Sequence, residues 1–349
     1  MTGNSAHLLN SKDIRSSGLE THDLNGHGLN ASRIGLGTWA IGGWMWGGTD
    51  EAESIRTIQG APDKGVNLID TAPVYGFGRS EEIVGKAVAE AKMRDQVVLA
   101  TKCALEWDDK GGVQRNASKK RVLKEADDSL KRLRTDVIDL LQVHWPDPVV
   151  DVRETAEAMA ELKEAGKIRA VGVSNFSPEQ MDAFQEVVAI DVAQNPYNLF
   201  ERDIDHDVLP WAEKHDTRLL AYGALCRGLL SGRMHASREF PGDDLRNNDP
   251  KFAQPRFNQY LAAVDALEAF AQKHYDKHVL DLAIRWLLDQ YDHAFALWGA
   301  RTPDQLDAVA NVPGWHLNGA ARAEIKAIVD QHVTDPVGPE FMAPPSRKD

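Results

Sequence analysis

The sequence predicts an α/β protein, a (β/α)8 TIM barrel with a long loop and helix excursion after its seventh strand. Three observations carry this prediction. Eight short apolar runs recur between residues 33 and 300: RIGLGTW, NLIDTA, VVLATKC, VIDLLQVHW, IRAVGVSN, VAQNPYN, RLLAYGA and FALWGA. Between most of them lie amphipathic segments, at 81–92, 118–134, 152–166 and 178–188, with apolar residues three and four apart as a helix requires. The alternating span of about 270 residues is the size of a TIM barrel.

The elements follow in order. Residues 1–32 read as a polar, poorly ordered tail leading into a hairpin around Asn25-Gly26-His27-Gly28. The barrel domain occupies 33–333, and 334–349 is a Pro-rich C-terminal tail. Pro62 lies inside the predicted first helix and is expected to cost or kink it. Ser177-Pro178-Glu179-Gln180 and Thr302-Pro303-Asp304-Gln305 each place a hydroxyl at the N-cap, proline at the first helical position and glutamine two residues later, which predicts two capping boxes. The excursion, 223–278, begins rich in Arg, Gly and Asp and gives way to a helix, so it reads as a long loop over one barrel mouth. Two fragments imitate a dinucleotide-binding fingerprint, Gly35-x-Gly37-x-x-Ala40 and Gly26-x-Gly28-x-x-Ala31, but neither sits between a strand and a helix as that fold requires.

Composition narrows the function. The 349 residues include 42% hydrophobic and 27% charged, an ordinary globular balance. No apolar run approaches the roughly 18 to 20 residues that cross a bilayer. The N-terminus lacks the basic start and apolar stretch of a signal peptide, so a cytoplasmic location is expected. A net charge of -13 argues against nucleic acid or an anionic membrane as partner. Cys103 and Cys226, far apart, read as free core thiols rather than a disulfide or a metal site. An anionic cofactor would need cations gathered locally against the overall field.

In a TIM barrel the chemistry sits at the C-terminal ends of the strands. The predicted ends are Thr38 and Trp39, Asp70, Lys102, His144, Ser174 and Asn175, Gln194, Tyr222, and Gly299 before Arg301, a set too polar for a core. Taken singly, Asp70 suits a turn and His144 a bonded core histidine. Asp70, Lys102 and His144 nevertheless end three successive strands, and Tyr75 lies on the loop after the second. Buried together, Asp70 and Lys102 neutralise each other. A lysine held charged beside Tyr75 is expected to lower its phenol from about 10, each unit stabilising the anion by about 1.4 kcal/mol. That tyrosine is then a general acid, and His144 can hold a carbonyl oxygen against it.

Other chemistries lack parts. There is no His-x-His after the first strand for a metal, no Gly-x-Ser-x-Gly elbow, and one strand-end carboxylate where a glycosidase needs two. No metal is expected. A proton donor without nucleophile or metal points to carbonyl redox chemistry with a hydride from a cofactor. Ser174, Asn175 and Gln194 can hold a carboxamide, and Tyr222 offers a flat ring. GALCRGLLSGR combines close backbone approach at Gly223, Gly228 and Gly232 with the cations Arg227 and Arg233, and Arg301 precedes a helix start suited to phosphate. Trp44 and Trp46, together with Trp107 and Trp145, are expected to wall the substrate; the first two read as a mobile aromatic flap or as loop packing.

DTAPVYGFGRSEE, LATKC, LLQVHWPDP, GVSNFSPEQ and GARTPDQL, in this order, resemble the aldo-keto reductase superfamily from about residue 33 to 333. The resemblance implies a monomeric or weakly self-associating barrel that binds NADP(H), with NAD(H) as the alternative, and reduces aldehydes or ketones with the pro-R hydride of the nicotinamide. By position it makes Tyr75 the general acid, Lys102 its partner, Asp70 the counter-charge and His144 the orienting donor. Ser174, Asn175 and Gln194 match carboxamide contacts, and Tyr222 the stacking ring. Gly223, Leu225, Arg227, Gly228 and Gly232 match the pyrophosphate segment, while Gly299, Arg301 and Gln305 match the adenosine end. Gly37, Thr38, Trp39 and Arg233 complete the expected cofactor set. A frequent Glu-Asn pair after that glutamine is replaced here by Ala308 and Val309. GTWAIGGWMWGGTDE and AYGALCRGLLSGR look most like a bacterial branch acting on short polyol-derived aldehydes such as glyceraldehyde. The alternative is a regulatory or nucleotide-sensing member with little turnover.

Overall fold

The computed structural model describes residues 18–347, so the tail expected over 1–17 lies outside the described residues. Eight parallel strands close into a barrel: β1 (Ile34–Gly37), β2 (Leu68–Asp70), β3 (Val98–Cys103), β4 (Ile138–Val143), β5 (Ile168–Ser174), β6 (Val192–Pro196), β7 (Arg218–Tyr222) and β8 (Ala294–Gly299). Each pairs with the next in sequence, and β8 returns to β1 with Gly299 beside Gly37. The TIM barrel is therefore the fold. Around it lie α1 (Glu51–Gly60), α2 (Arg79–Glu90), α3 (Lys119–Leu133), α4 (Val152–Glu164), α5 (Pro178–Gln185), α6 (Val208–His215), α7 (Arg256–Tyr275), α8 (Val279–Leu288) and α9 (Gly319–His332).

Alternation along each strand divides the core into two layers. Leu68, Val98, Ala100, Leu140, Ala170 and Leu220 pack inside the barrel, whereas Ile69, Leu99, Leu141 and Val171 join the layer beneath the helices. The inward series then turns polar near the mouth, where Asp70, Lys102, Gln142, Ser174 and Gln194 follow the apolar positions two residues earlier. The opposite end is plugged. Thr21–Asp23 pairs antiparallel with Asn30–Ser32, and the buried Leu24 and Leu29 of this hairpin pack against Leu140, Leu220 and Phe295.

Two local expectations are corrected. Pro62 is not inside a helix: α1 stops at Gly60, and Pro62 opens a separate 3-10 turn, Pro62–Lys64, where its missing N–H costs nothing. Ser177 and Gln180 form their capping box, but Thr302 makes no side-chain cap, and Gln305 accepts instead from the Arg301 N–H at 2.7 Å. The element after Thr302 is a 3-10 helix, Pro303–Asn311.

The excursion after β7 runs through the 3-10 turns Cys226–Ser231, Leu245–Asn247 and Pro250–Phe252 into α7. A second antiparallel hairpin, Leu105–Trp107 with Val113–Arg115, rises from the loop after β3. The C-terminal tail crosses the mouth between these two insertions. Lys251 Nζ holds the Gly338 carbonyl at 3.1 Å, Arg115 holds the Pro344 and Pro345 carbonyls at 2.9 and 3.1 Å, and Arg347 reaches Asp147 at 3.3 Å. Both cysteines are buried and free. Among the described residues no helix is long and apolar enough to cross a membrane.

Candidate active site

Strand register brings the predicted strand ends together. Asp70 pairs with Ala100 on β3, one inward position below Lys102, and Lys102 pairs with Gln142 on β4. Lys102 Nζ donates to Asp70 Oδ1 at 2.5 Å and to the Thr71 carbonyl at 3.0 Å. Both side chains are buried, Lys102 to 1% exposure. Burial draws the lysine down from its usual value, and the Asp70 carboxylate opposes that shift.

Tyr75 stands over this pair, with Lys102 Nζ 5.1 Å from its ring centre and the His144 ring edge-on at 5.8 Å. Its turn is positioned by packing that only glycines permit. Gly76 has φ +68°, and a Cβ there would lie 2.3 Å from the Gly42 carbonyl oxygen. A Cβ on Gly42 would meet the Tyr75 carbonyl carbon at 2.6 Å. A relay of hydroxyls braces the same turn: Thr71 donates to Ser80, Ser80 to Thr38, and Thr38 to the Asp70 carbonyl, at 3.0, 2.9 and 2.9 Å.

The expectation that Lys102 lowers the Tyr75 phenol is corrected. Tyr75 is half-buried, and burial with the nearby Asp70 carboxylate holds the phenol well above its usual value. The charge of Lys102 is directed at Asp70 and the Thr71 carbonyl. Tyr75 is therefore protonated at neutral pH and has a proton to donate. Burial and the Lys102 charge hold His144 well below its usual value, so its imidazole is neutral, with one donor and one acceptor nitrogen.

A groove with a cavity volume of about 460 Å³ runs from Tyr75 across the ends of β7, β8 and β1. Its inner end is walled by Gly37, Thr38, Trp39, Asp70 and Tyr222. Gly223, Leu225, Arg227, Gly228 and Arg233 line its middle, and Trp46, Gly299, Arg301 and Gln305 its outer end. Gly232 is not along it: it caps the 3-10 turn at φ +70°, against Val279. Ser174, Asn175 and Gln194 lie beside the inner end. Asn175, with φ +61°, donates to the His144 carbonyl and Ser174 Oγ at 3.0 Å each and accepts from the Tyr222 hydroxyl at 2.9 Å.

Arg227 departs from its expected role as a phosphate cation. It is buried between Glu201 and Asp249, at 2.5 Å from each, and Lys251 also reaches Glu201 at 2.8 Å. Two cations facing two carboxylates leave no net charge for a ligand. Arg233, Arg238 and Arg301 line the groove without a salt bridge among the described residues. Arg301 holds the Trp46 carbonyl at 3.2 Å, and Arg246 stacks on Trp46 while paired with Asp244.

The tryptophans divide. Trp46 packs edge-on against Trp39, whereas Trp44, Trp107 and Trp145 join Tyr75 around Ala72, Val74 and Leu105. Phe77, 4.8 Å from Trp44 and 5.7 Å from Trp107, bridges that wall. Sequence reasoning missed Phe77, the groove cations Arg238 and Arg246, Met342 of the C-terminal strap, and Gln142. Gln142 had a signal, being a polar residue two before His144 in an apolar run.

Glu125 on α3 braces the loop that follows Lys102. It accepts from the Ala104 N–H at 2.8 Å, where Ala104 has φ +76°, and from Arg121, which also holds the Leu105 carbonyl. Burial pushes its carboxyl from 4.5 up to about 7. The folded chain thus binds more protons than the unfolded chain between these values, and this group's contribution falls as pH rises from 4.5 to about 7. Glu125→Gln is expected to remove that slope, worth up to about 3 kcal/mol. Denaturant midpoints compared at pH 5 and pH 7.5 check it; parallel slopes in both proteins refute it.

Comparison with known proteins places the chain among relatives of the same fold. The model of the Aldo/keto reductase family matches residues 33–330, and the chain belongs to that family. It is an oxidoreductase of the aldo-keto reductase class. It is 58% identical to aldo-keto reductase YhdN of Bacillus subtilis (strain 168), over 87% of this chain and 92% of the relative. It is 35% identical to an NADH-specific methylglyoxal reductase of Escherichia coli (strain K12), over 75% of this chain and 83% of that protein. Among solved structures, the glycerol dehydrogenase AKR11B4 from Gluconobacter oxydans superposes with a TM-score of 0.84 at 52% identity, covering 93% of this chain and 99% of that one.

Proposed function

We propose that the protein interconverts a small aldehyde or ketone and its alcohol with NADP(H), and that Tyr75 is the proton donor. One observation carries the reading: a protonated phenol, a neutral imidazole and a buried Asp70–Lys102 pair meet at the inner end of a long groove. Tyr75 and His144 together offer two donors to one carbonyl oxygen, which polarises the carbon for attack. In reduction Tyr75 gives its proton to that oxygen. The phenolate left behind has the Lys102 charge beside its ring, and in the reverse direction that phenolate takes the proton of the alcohol.

The groove's chemistry suits an extended dinucleotide. Gly223 and Gly228, both at positive φ, let the backbone approach closely, and Arg233, Arg238 and Arg301, without a salt bridge among the described residues, offer positive charge. Tyr222 offers its ring, and Gln194 and Asn175 offer amides to a carboxamide. When bound, the reduced nicotinamide supplies the hydride. The aromatic wall of Trp44, Phe77, Trp107 and Trp145 favours a short substrate, and the likeness to a glycerol dehydrogenase supports a polyol-derived one.

A panel of glyceraldehyde, methylglyoxal, aryl aldehydes and glycerol, assayed with NADPH and NADH in parallel, tests the reading. Turnover of short carbonyls is expected, and no turnover with either cofactor overturns it. Arg301→Ala is expected to weaken NADPH by about 10- to 100-fold, the loss of a charge-assisted bond, with NADH little changed. Fluorescence titration measures both, and equal weakening of the two refutes Arg301 as the 2'-phosphate contact.

A further inference from the structure

We propose that Gln142 is a positioning residue that orients both Asp70 and Gln194, and so links the carboxamide end of the cofactor groove to the catalytic ion pair. The inference rests on the functional reading above and deepens it. Gln142 has no exposure to solvent. Its Nε2 donates to Asp70 Oδ2 at 3.0 Å, on the carboxylate oxygen that Lys102 leaves free. Gln194 Nε2 donates to the same oxygen at 3.0 Å and to Gln142 Oε1 at 2.9 Å.

The donor inventory of these groups admits one arrangement. A carboxylate only accepts, so both amides must turn their NH2 groups toward Asp70. Gln142 turns its oxygen to Gln194, which gives it the second N–H of its own amide. Gln194 has no donor left to offer, and its Oε1 accepts no hydrogen bond among the described residues. Gln194 therefore presents an acceptor, which suits the NH2 of a carboxamide. Without Gln142, Gln194 keeps one anchor where it had two, and Asp70 Oδ2 keeps one donor.

The neighbouring strand makes room for this side chain. Gly172 on β5 is in register with Gln142, and a Cβ at Gly172 would lie 2.6 Å from Gln142 Cγ. The inward position at Gly172 carries no side chain, which leaves room beside the amide. Gln142 is thus a packed group bonded to two functional neighbours, and no ligand contact of its own is needed for its effect.

Two variants test the proposal, Gln142→Leu and Gly172→Ala, the second displacing Gln142 without removing it. Affinity for NADPH and for the fragment 2',5'-ADP, which lacks the nicotinamide, is measured by titration, and kcat with glyceraldehyde by steady-state assay. Each variant is expected to lose about 10- to 100-fold in kcat and about 10-fold in NADPH affinity, as expected for lost bonds to an ionised group, with 2',5'-ADP affinity unchanged. Merely structural damage weakens both ligands together, and that outcome overturns the proposal. So do a kcat and an NADPH affinity within about twofold of wild type in both variants, which is less than a single lost bond is worth. If the unmodified protein itself shows no nicotinamide-dependent turnover, the functional reading fails and takes this inference with it. If the unmodified protein turns over and the variants match it, only this inference fails.

Discussion

Tyr75→Phe is expected to lower kcat by about 10²- to 10⁴-fold, the usual contribution of a positioned general acid, while NADPH binds as before. The hydroxyl makes no hydrogen bond among the described residues, so its removal leaves no buried partner unsatisfied and the thermal midpoint should move little. The ring keeps its stacking on Trp39 and its contact with His144, so the walls of the site stay in place. Turnover and fluorescence quenching, measured on one preparation, separate chemistry from binding. Retained turnover would falsify Tyr75 as the proton donor. The assay is best run across pH, because a phenol held well above its usual value stays protonated through the neutral range and should show no basic limb there.

Lys102→Met is expected to have the largest effect on stability. Asp70 is 2% exposed, and its counter-charge lies at 2.5 Å. Removing one partner of a buried ion pair costs about 3 to 5 kcal/mol, because the other charge is left uncompensated in a medium that solvates it poorly. The two amide donors on Asp70 Oδ2 soften this loss without supplying charge. The double variant Asp70→Leu/Lys102→Met should recover part of the stability and none of the turnover. Chemical denaturation of the wild type and the two variants checks it. A Lys102→Met protein as stable as wild type would show that the pair is not held ionised.

Much of the fold was legible because buried parallel strands and amphipathic helices leave different periods in a sequence. The eight runs map onto the eight strands, and the strand-end rule found Asp70, Lys102 and His144. The cations of the groove were less legible. Arg227 looked available until folding set it against Glu201 and Asp249, residues 26 and 22 positions away. Gln142 was hidden for a different reason: the strand-end rule points to His144 on this strand, whereas the inward face carries Gln142 two residues before it. The Tyr75 phenol was misjudged because desolvation and the Asp70 carboxylate depend on three-dimensional surroundings that residue types do not state. Thr302 makes no cap because the Gln305 N–H bonds the Thr302 carbonyl, while the Gln305 side chain holds the Arg301 amide.

The C-terminal strap has a further consequence. Its path is held at Gly338, Pro344 and Pro345 through their carbonyl oxygens, by Lys251 and Arg115. Carbonyls are common to every residue type, so these anchors ask almost nothing of the strap's own side chains. Met342, which faces the groove, can therefore be exchanged without rerouting the strap. The rim of the groove is thus adjustable one residue at a time while the barrel beneath it stays unaltered.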